Sequence, residues 1–168
     1  LAARPMGVRR LVLISSVFAA GRADDAYSRT KRIGEEIALG ICAEHGIGCA
    51  VVRPTQIYDS HGRAKKHQPF LYFLCDRLAS GRKIILYGNA DPLRNYLHLD
   101  DLSAALVRVV REGMVGTITL AHPLSLRVTE LVASLATTHG LRCHLEFDTT
   151  KSDLADYLDG LELPTSDL

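Results

Sequence analysis

The sequence predicts an α/β fold built on parallel strands. Short apolar runs of strand length alternate with segments whose apolar residues recur at helical spacing. The order strand–helix–strand–helix opens the chain and gives way to smaller mixed elements, an alternation that points to parallel pairing. With 47% apolar and 23% charged residues in 168 positions, the chain has enough apolar material for a packed core.

Val8–Ser16 (VRRLVLISS) reads as a buried strand ending in two small hydroxyl residues. Asp24 or Asp25 is suited to cap the helix that follows, because a short carboxylate accepts from the unpaired amides of a first turn. That helix runs to about His45, with Ile33, Ile37, Ala38 and Ile41 at helical spacing; Gly46 and Gly48 end it. Cys49–Arg53 is a second apolar strand, stopped by Pro54. Thr55–Lys66 is a polar loop, Pro69–Ala79 a helix closed by Gly81, Lys83–Tyr87 a strand and Gly88–Pro92 a turn-rich loop. Tyr96–Leu99 is a brief strand, and Asp100 or Asp101 starts a helix through about Glu112. A strand over Thr117–Ala121, a helix over Leu126–His139, a strand over Arg142–Phe147 and a short helix over Ser152–Leu158 follow. The tail beyond Gly160 is expected to be loosely ordered.

The net charge of +1 gives no electrostatic footprint for nucleic acid or an anionic membrane. No apolar run approaches the roughly 20 residues of a membrane helix. Cys42, Cys49, Cys75 and Cys143 are scattered, with no C-x-x-C pair and no histidine at metal-ligand spacing. They read as reduced thiols of a cytoplasmic protein, and no metal site is expected. The chain opens on Leu1-Ala2-Ala3-Arg4 and runs straight into a strand, as the interior of a longer protein would.

Chemistry is expected at Tyr27 and Lys31, which stand four apart and share one helix face. Ser16 ends the preceding strand, and ligands of open α/β sheets bind outside the carboxyl ends of strands. A free phenol ionises near pH ~10, too high for a base at neutral pH. A neighbouring ammonium favours the phenolate. A serine hydroxyl can hydrogen-bond a substrate oxygen, and such a trio moves a proton while a nicotinamide moves hydride. Y-x-x-x-K alone marks many exposed helices, so its context decides.

Five segments supply that context in order: Leu11–Gly21 (LVLISSVFAAG), Ala26–Lys31 (AYSRTK), Arg53–Tyr58 (RPTQIY), Tyr87–Asp101 (YGNADPLRNYLHLDD) and Gly116–Leu131. Together they resemble the extended short-chain dehydrogenase/reductases, the nucleotide-sugar epimerases and dehydratases. That family has a strand ending in Ser-Ser, then Y-G-x-S-K, R-P-x-N-V-Y, Y-G-x-G-x-x-x-R-D-F-I-H-V-D-D, and a later strand before a helix opening S-L-x-E-L.

The resemblance implies the C-terminal half of a Rossmann-like parallel sheet with a small mixed α/β substrate-binding region. Residues 1–54 would be the second half of the dinucleotide-binding domain; residues 55–168 would be mainly substrate-binding, with segments returning to the sheet. It implies NAD or NADP as cofactor, a nucleotide sugar as substrate, and epimerisation or keto-reduction as the reaction. Ser16, Tyr27 and Lys31 become the catalytic residues, and Tyr27, Lys31, Pro54 and Thr55 the cofactor contacts. Gln56 and Arg94 become substrate contacts, Arg94 because a guanidinium fork suits a diphosphate. His98 and Asp101 match the motif in a packed, hydrogen-bonded role, whereas His61, His67, His122 and His144 show no partner spacing. A homodimer through the helix carrying Tyr27 is also implied.

The sequence departs from the family in places. The G-x-x-G-x-x-G loop that cradles the cofactor pyrophosphate is not in it, so the resemblance places that loop upstream of Leu1 and leaves an incomplete cofactor site here. Whether this chain alone is an enzyme stays open. The connection Gly21–Asp25 is short and carries no extra acid/base group of the kind dehydratases use, which favours epimerisation or ketoreduction. Gln56 replaces the usual Asn, and Asn95 the usual Asp. Two further readings remain: a reductase of a non-nucleotide carbonyl compound, and a partial, non-catalytic binding or assembly module.

Overall fold

The computed structural model describes residues 7–21, 25–156, 158, 161 and 163. In chain order the elements are β1 (Arg10–Ile14), a 3-10 turn (Val17–Ala19), α1 (Ala26–Glu44), β2 (Gly48–Pro54), β3 (Gln56–Tyr58), a second 3-10 turn (Arg63–Lys66) and α2 (Pro69–Ala79). They continue with β4 (Ile84–Tyr87), β5 (Leu93–Arg94), β6 (Tyr96–His98), α3 (Leu99–Glu112), β7 (Gly116–Leu120), β8 (Leu126–Arg127), α4 (Val128–Thr138) and β9 (Leu145–Asp148). The described residues divide into two compact units: those up to Thr55 with Leu97–Pro123, and Gln56–Tyr96 with residues 124–156.

The first unit is a parallel sheet in the order β1-β2-β7, with Leu13 opposite Val51 and Val52 opposite Ile118. The α/β expectation holds here in its parallel form. β2 is central, and Ala50, Val51 and Val52 are buried on both faces, which is why it reads as an unbroken apolar run. Pro54 does not stop this strand. It pairs with Leu120 as its last residue, and the following amide, Thr55 N, donates to Leu120 O at 2.9 Å.

Two expectations about burial are corrected. β1 is an exposed edge rather than a buried strand: it pairs only with β2 among the described residues, and Leu11 and Ile14 are 38% and 41% exposed. On α1 the stripe Ile33, Ile37 and Ile41 faces outward, and the inward residues are Ser28, Glu35 and Cys42. The periodicity is helical, but polar Glu35 goes inward because Arg53 waits for it on β2. Below it Cys42 packs with Cys49 and Val51. Burial and the neighbouring Cys42 thiol push the Cys49 thiol up to about 11, which leaves it inert.

Asp25 caps α1 as expected, accepting from Ser28 N at 3.0 Å and Ser28 Oγ at 2.7 Å; Asp24 lies outside the described residues. α3 begins one residue before the expected aspartates, capped by His98, whose Nδ1 accepts from Asp100 N at 3.2 Å. It ends at Gly113, whose φ of 67° no side chain adopts readily and where a Cβ would strike the Arg10 guanidinium.

The second unit packs α2 and α4 on β4. Leu74, Leu78, Ile84, Leu86, Val128 and Val132 form its core. Pro69 opens α2 at a position that needs no N–H. β4 pairs in parallel with β9, and β5 antiparallel with β8. The expected strand over Arg142–Phe147 is confined to Leu145–Asp148, and Leu126–Arg127 is strand rather than helix. The short helix expected over Ser152–Leu158 does not form: residues 152–156 are irregular. They are tied to the loop after β4, Asp153 Oδ1 accepting from Asn89 N at 2.5 Å and Ala90 N at 3.2 Å, and Asp156 Oδ2 from Leu93 N at 3.2 Å. Those partners lie outside any helix, so local propensity is overruled. Gly88 (φ 81°) makes the approach possible, since a Cβ there would overlap Asp153. No helix among the described residues is long and apolar enough to cross a membrane.

Candidate active site

At the carboxyl end of β1 the chain turns at Ser15-Ser16. Ser15 N donates to Val52 O at 2.7 Å, holding this end against β2. Ser16 caps the following 3-10 turn, and its Oγ accepts from Phe18 N at 3.3 Å. The Phe18 ring then meets the Tyr27 ring edge-on, with centroids 6.1 Å apart and an interplanar angle of 73°. One turn further along α1, the Lys31 Nζ stands 5.6 Å from the centroid of the Tyr27 ring. Ser16 thus joins the Phe18 backbone, the Phe18 ring meets Tyr27, and Lys31 meets Tyr27, beyond the carboxyl end of β1. Ser16 is buried, while Tyr27 is 52% exposed.

β2 ends at the same side of the sheet. Pro54 and Thr55 are both buried there. Beside Thr55, a cleft of about 510 Å³ at the carboxyl end of β7 is lined by Leu97, Ala104 and Leu120 and by Asp101, Arg108 and His122. His98 is occupied as a helix cap, in keeping with a packed role.

Sequence reasoning missed the polar group behind this site. Arg53 grips Glu35 with Nε at 3.0 Å from Oε1 and 3.2 Å from Oε2, and with Nη2 at 2.5 Å from Oε2. Glu35 is 4% exposed. Burial pushes its carboxyl up, but the hydrogen bonds and charge of Arg53 and the charge of Lys31 outweigh that and hold it below the usual range. The signal was present in the sequence: a Glu one turn after Lys31, and an Arg immediately before Pro54.

The predicted substrate residues lie in the second unit. Gln56 donates from Nε2 to Gln68 Oε1 at 3.3 Å. Arg94 is 4% exposed, with Nη1 on Leu93 O at 2.8 Å, Nη2 on Ala155 O at 2.9 Å and its guanidinium 5.7 Å from the Phe70 ring centre. Asn95 donates from Nδ2 to Leu124 O at 3.3 Å and Ser125 Oγ at 3.1 Å, which an ionised Asp could not do. Sequence reasoning also missed Asp59, whose carboxylate accepts from His61 N, Arg63 N and Ala64 N, at 2.8, 3.1 and 2.6 Å, and organises the basic turn Arg63–Lys66. Among the described residues no group of His, Cys, Asp and Glu is arranged to hold a metal ion.

Comparison with known proteins shows the family and the fold. The profile of the NAD dependent epimerase/dehydratase family matches residues 2–119. GDP-L-fucose synthase of Escherichia coli (strain K12) is 23% identical over 146 residues, covering 77% of this chain and 46% of that enzyme, so the chain spans about half the length of this curated relative. UDP-N-acetylglucosamine 4-epimerase from Methanobrevibacter ruminantium M1, solved with UDP-N-acetylmuramic acid, superposes with a TM-score of 0.73 at 14% identity, over 98% of this chain and 60% of that one. The dTDP-glucose 4,6-dehydratase of Bacillus anthracis str. Ames, solved with NAD, gives 0.71 at 20% identity, over 92% and 55%. The UDP-glucose 4-epimerase of Thermus thermophilus, also with NAD, gives 0.68 at 15%, over 94% and 58%. These structures share the Rossmann-like fold, and the profile match shows that the chain belongs to the NAD dependent epimerase/dehydratase family.

Proposed function

We propose that this chain carries the proton-transfer half of an enzyme that epimerises or reduces a nucleotide sugar with NAD or NADP. The observation that carries the reading is the Ser16–Phe18–Tyr27–Lys31 arrangement at the carboxyl end of a parallel sheet. Tyr27 gives or takes the proton of the reacting hydroxyl or carbonyl oxygen. Lys31 supplies the positive charge that favours the phenolate. Ser16 donates a hydrogen bond to the same substrate oxygen.

The residues present fit one end of a dinucleotide. Lys31 and the half-exposed Tyr27 offer donors suited to a ribose, and buried Pro54 and Thr55 end the neighbouring strand on the carboxyl side of the same sheet. When bound, the nicotinamide supplies the hydride acceptor and donor. Solved relatives that carry NAD, UDP-glucose or UDP-glucuronic acid support the same assignment. We assign residues 1–54 to the cofactor side and most of residues 55–168 to the substrate side, with Gln56 and Arg94 as substrate contacts. The outward stripe Ile33, Ile37 and Ile41 supports a homodimer through α1, and the free thiols Cys42, Cys49, Cys75 and Cys143 support a cytoplasmic setting.

The test uses the full-length protein with Tyr27→Phe. Turnover of a competent sugar nucleotide should fall by about 10²–10⁴-fold, the usual contribution of a positioned acid–base group, while its binding is unchanged by calorimetry. Undiminished turnover would remove Tyr27 from the mechanism. One observation favours a second reading, reduction of a carbonyl compound without a diphosphate: Arg94 is buried on two backbone carbonyls. Calorimetric titration with uridine and thymidine diphosphates, using Arg94→Met as control, separates the two. Binding that is lost in the variant supports the nucleotide sugar.

A further inference from the structure

The candidate catalytic and cofactor residues of the first unit sit at the ends of β1 and β2 and on α1, and one buried carboxylate ties α1 to β2. Glu35 lies on α1 one turn beyond Lys31, on the face turned to the sheet. Arg53, its partner through both Nε and Nη2, is the residue before Pro54 and Thr55 at the end of β2. Ser15, the residue before Ser16 at the end of β1, is 5% exposed, and its N donates at 2.7 Å to the O of Val52, the neighbour of Arg53 on β2. A guanidinium–carboxylate fork has a narrow allowed geometry, so α1 cannot rotate or slide on β2 without breaking it. The other polar groups along this face point elsewhere: Ser28 is spent on the Asp25 cap, Arg32 donates to Gly21 O at 3.2 Å in the segment before the helix, and Cys42 packs with Cys49 and Val51.

We propose that Glu35 is a positioning residue: by gripping Arg53 on β2, it sets the register of α1 and so holds Tyr27 and Lys31 in place relative to Ser16, Pro54 and Thr55. The proposal rests on the catalytic reading above and adds to it a residue that touches neither substrate nor cofactor.

The decisive variant is Glu35→Met/Arg53→Met in the full-length protein. Replacing a buried ion pair with apolar side chains of similar size commonly preserves stability, so folding is retained while the directional contact is lost. The readout is the nuclear Overhauser contact between the Phe18 and Tyr27 rings in protein with labelled aromatics, compared at equal melting temperature. The contact should be present in the parent and lost or at least halved in the variant. With a competent sugar nucleotide, kcat should fall ten-fold or more, with KM changing less than three-fold. Should the double variant fail to fold, Arg53→Lys reads the same contact, because an ammonium keeps the charge but not the two-point grip. A folded variant that keeps the ring contact overturns the proposal. If the parent turns over no sugar nucleotide, the catalytic reading fails, and the ring contact still decides the role of Glu35.

Discussion

Asp59 shows how one side chain can organise a loop. Three amides of the following turn and the Tyr72 hydroxyl converge on it, the latter 3.1 Å from Oδ2. Burial pushes this carboxyl up, but the amides of Ala64, Arg63 and His61 and the Tyr72 hydroxyl outweigh it and hold it at about 2, below the ordinary 3.8. A depressed carboxyl stabilises the fold above its unfolded value and loses that contribution as pH falls toward its folded value. The melting temperature should therefore drop between about pH 4 and pH 2 through this residue. Asp59→Asn should melt lower at neutral pH and show a flatter profile across that window; a parallel profile would remove Asp59 as the cause. Tyr96 presents the opposite case. Its hydroxyl is buried without a partner among the described residues, and burial pushes it up to about 12. An unsatisfied buried polar group costs about 1–3 kcal/mol, so Tyr96→Phe should leave stability unchanged or raise it by up to about 1 kcal/mol in denaturant titration. A loss beyond ~1 kcal/mol would reveal a partner, such as an ordered water.

Among the elements, α1 separates what local sequence encodes from what it does not. Its start was legible in Asp25, and its end near His45 in Gly46, because caps and stops act over one turn. Asp25→Ala should lower the melting temperature by removing the helix cap. It should also loosen the turn bearing Tyr27, seen as faster amide exchange at Tyr27 and Ser28; unchanged exchange would show the cap to be dispensable. The buried face of α1 was not legible. Apolar periodicity marked Ile33, Ile37 and Ile41, yet the helix turns Glu35 inward, because the preference is set by Arg53, 18 residues away. Removing Glu35 alone would strand that guanidinium, at a cost of about 3 kcal/mol. The stretch 152–156 fails as a helix for a similar reason: Asp153 and Asp156 serve amides more than 60 positions earlier in the chain.

For the whole molecule, the described sheet has an open edge at β1, with Leu11 and Ile14 exposed beside it. Unpaired strand edges with apolar side chains recruit other strands. This 168-residue chain should therefore associate with rising concentration, and Leu11→Lys should reduce that association in light scattering without lowering the melting temperature. Equal association in both would place the contact elsewhere. Residue order alone made legible the class of fold, the apolar strand β2 though not its central place, the ends of α1 and α2, and the ordered segments around Tyr27, Lys31 and Arg53–Tyr58. Those follow from apolar period, capping and motif spacing, which are local or linear properties. Four features emerge solely from the folded chain: β1 is an edge, α1 buries Glu35 against Arg53, Phe18 bridges Ser16 to Tyr27, and Arg94 rests on backbone carbonyls. Each of these depends on which distant groups the fold brings within hydrogen-bonding or packing distance, and spacing along one segment does not contain that information.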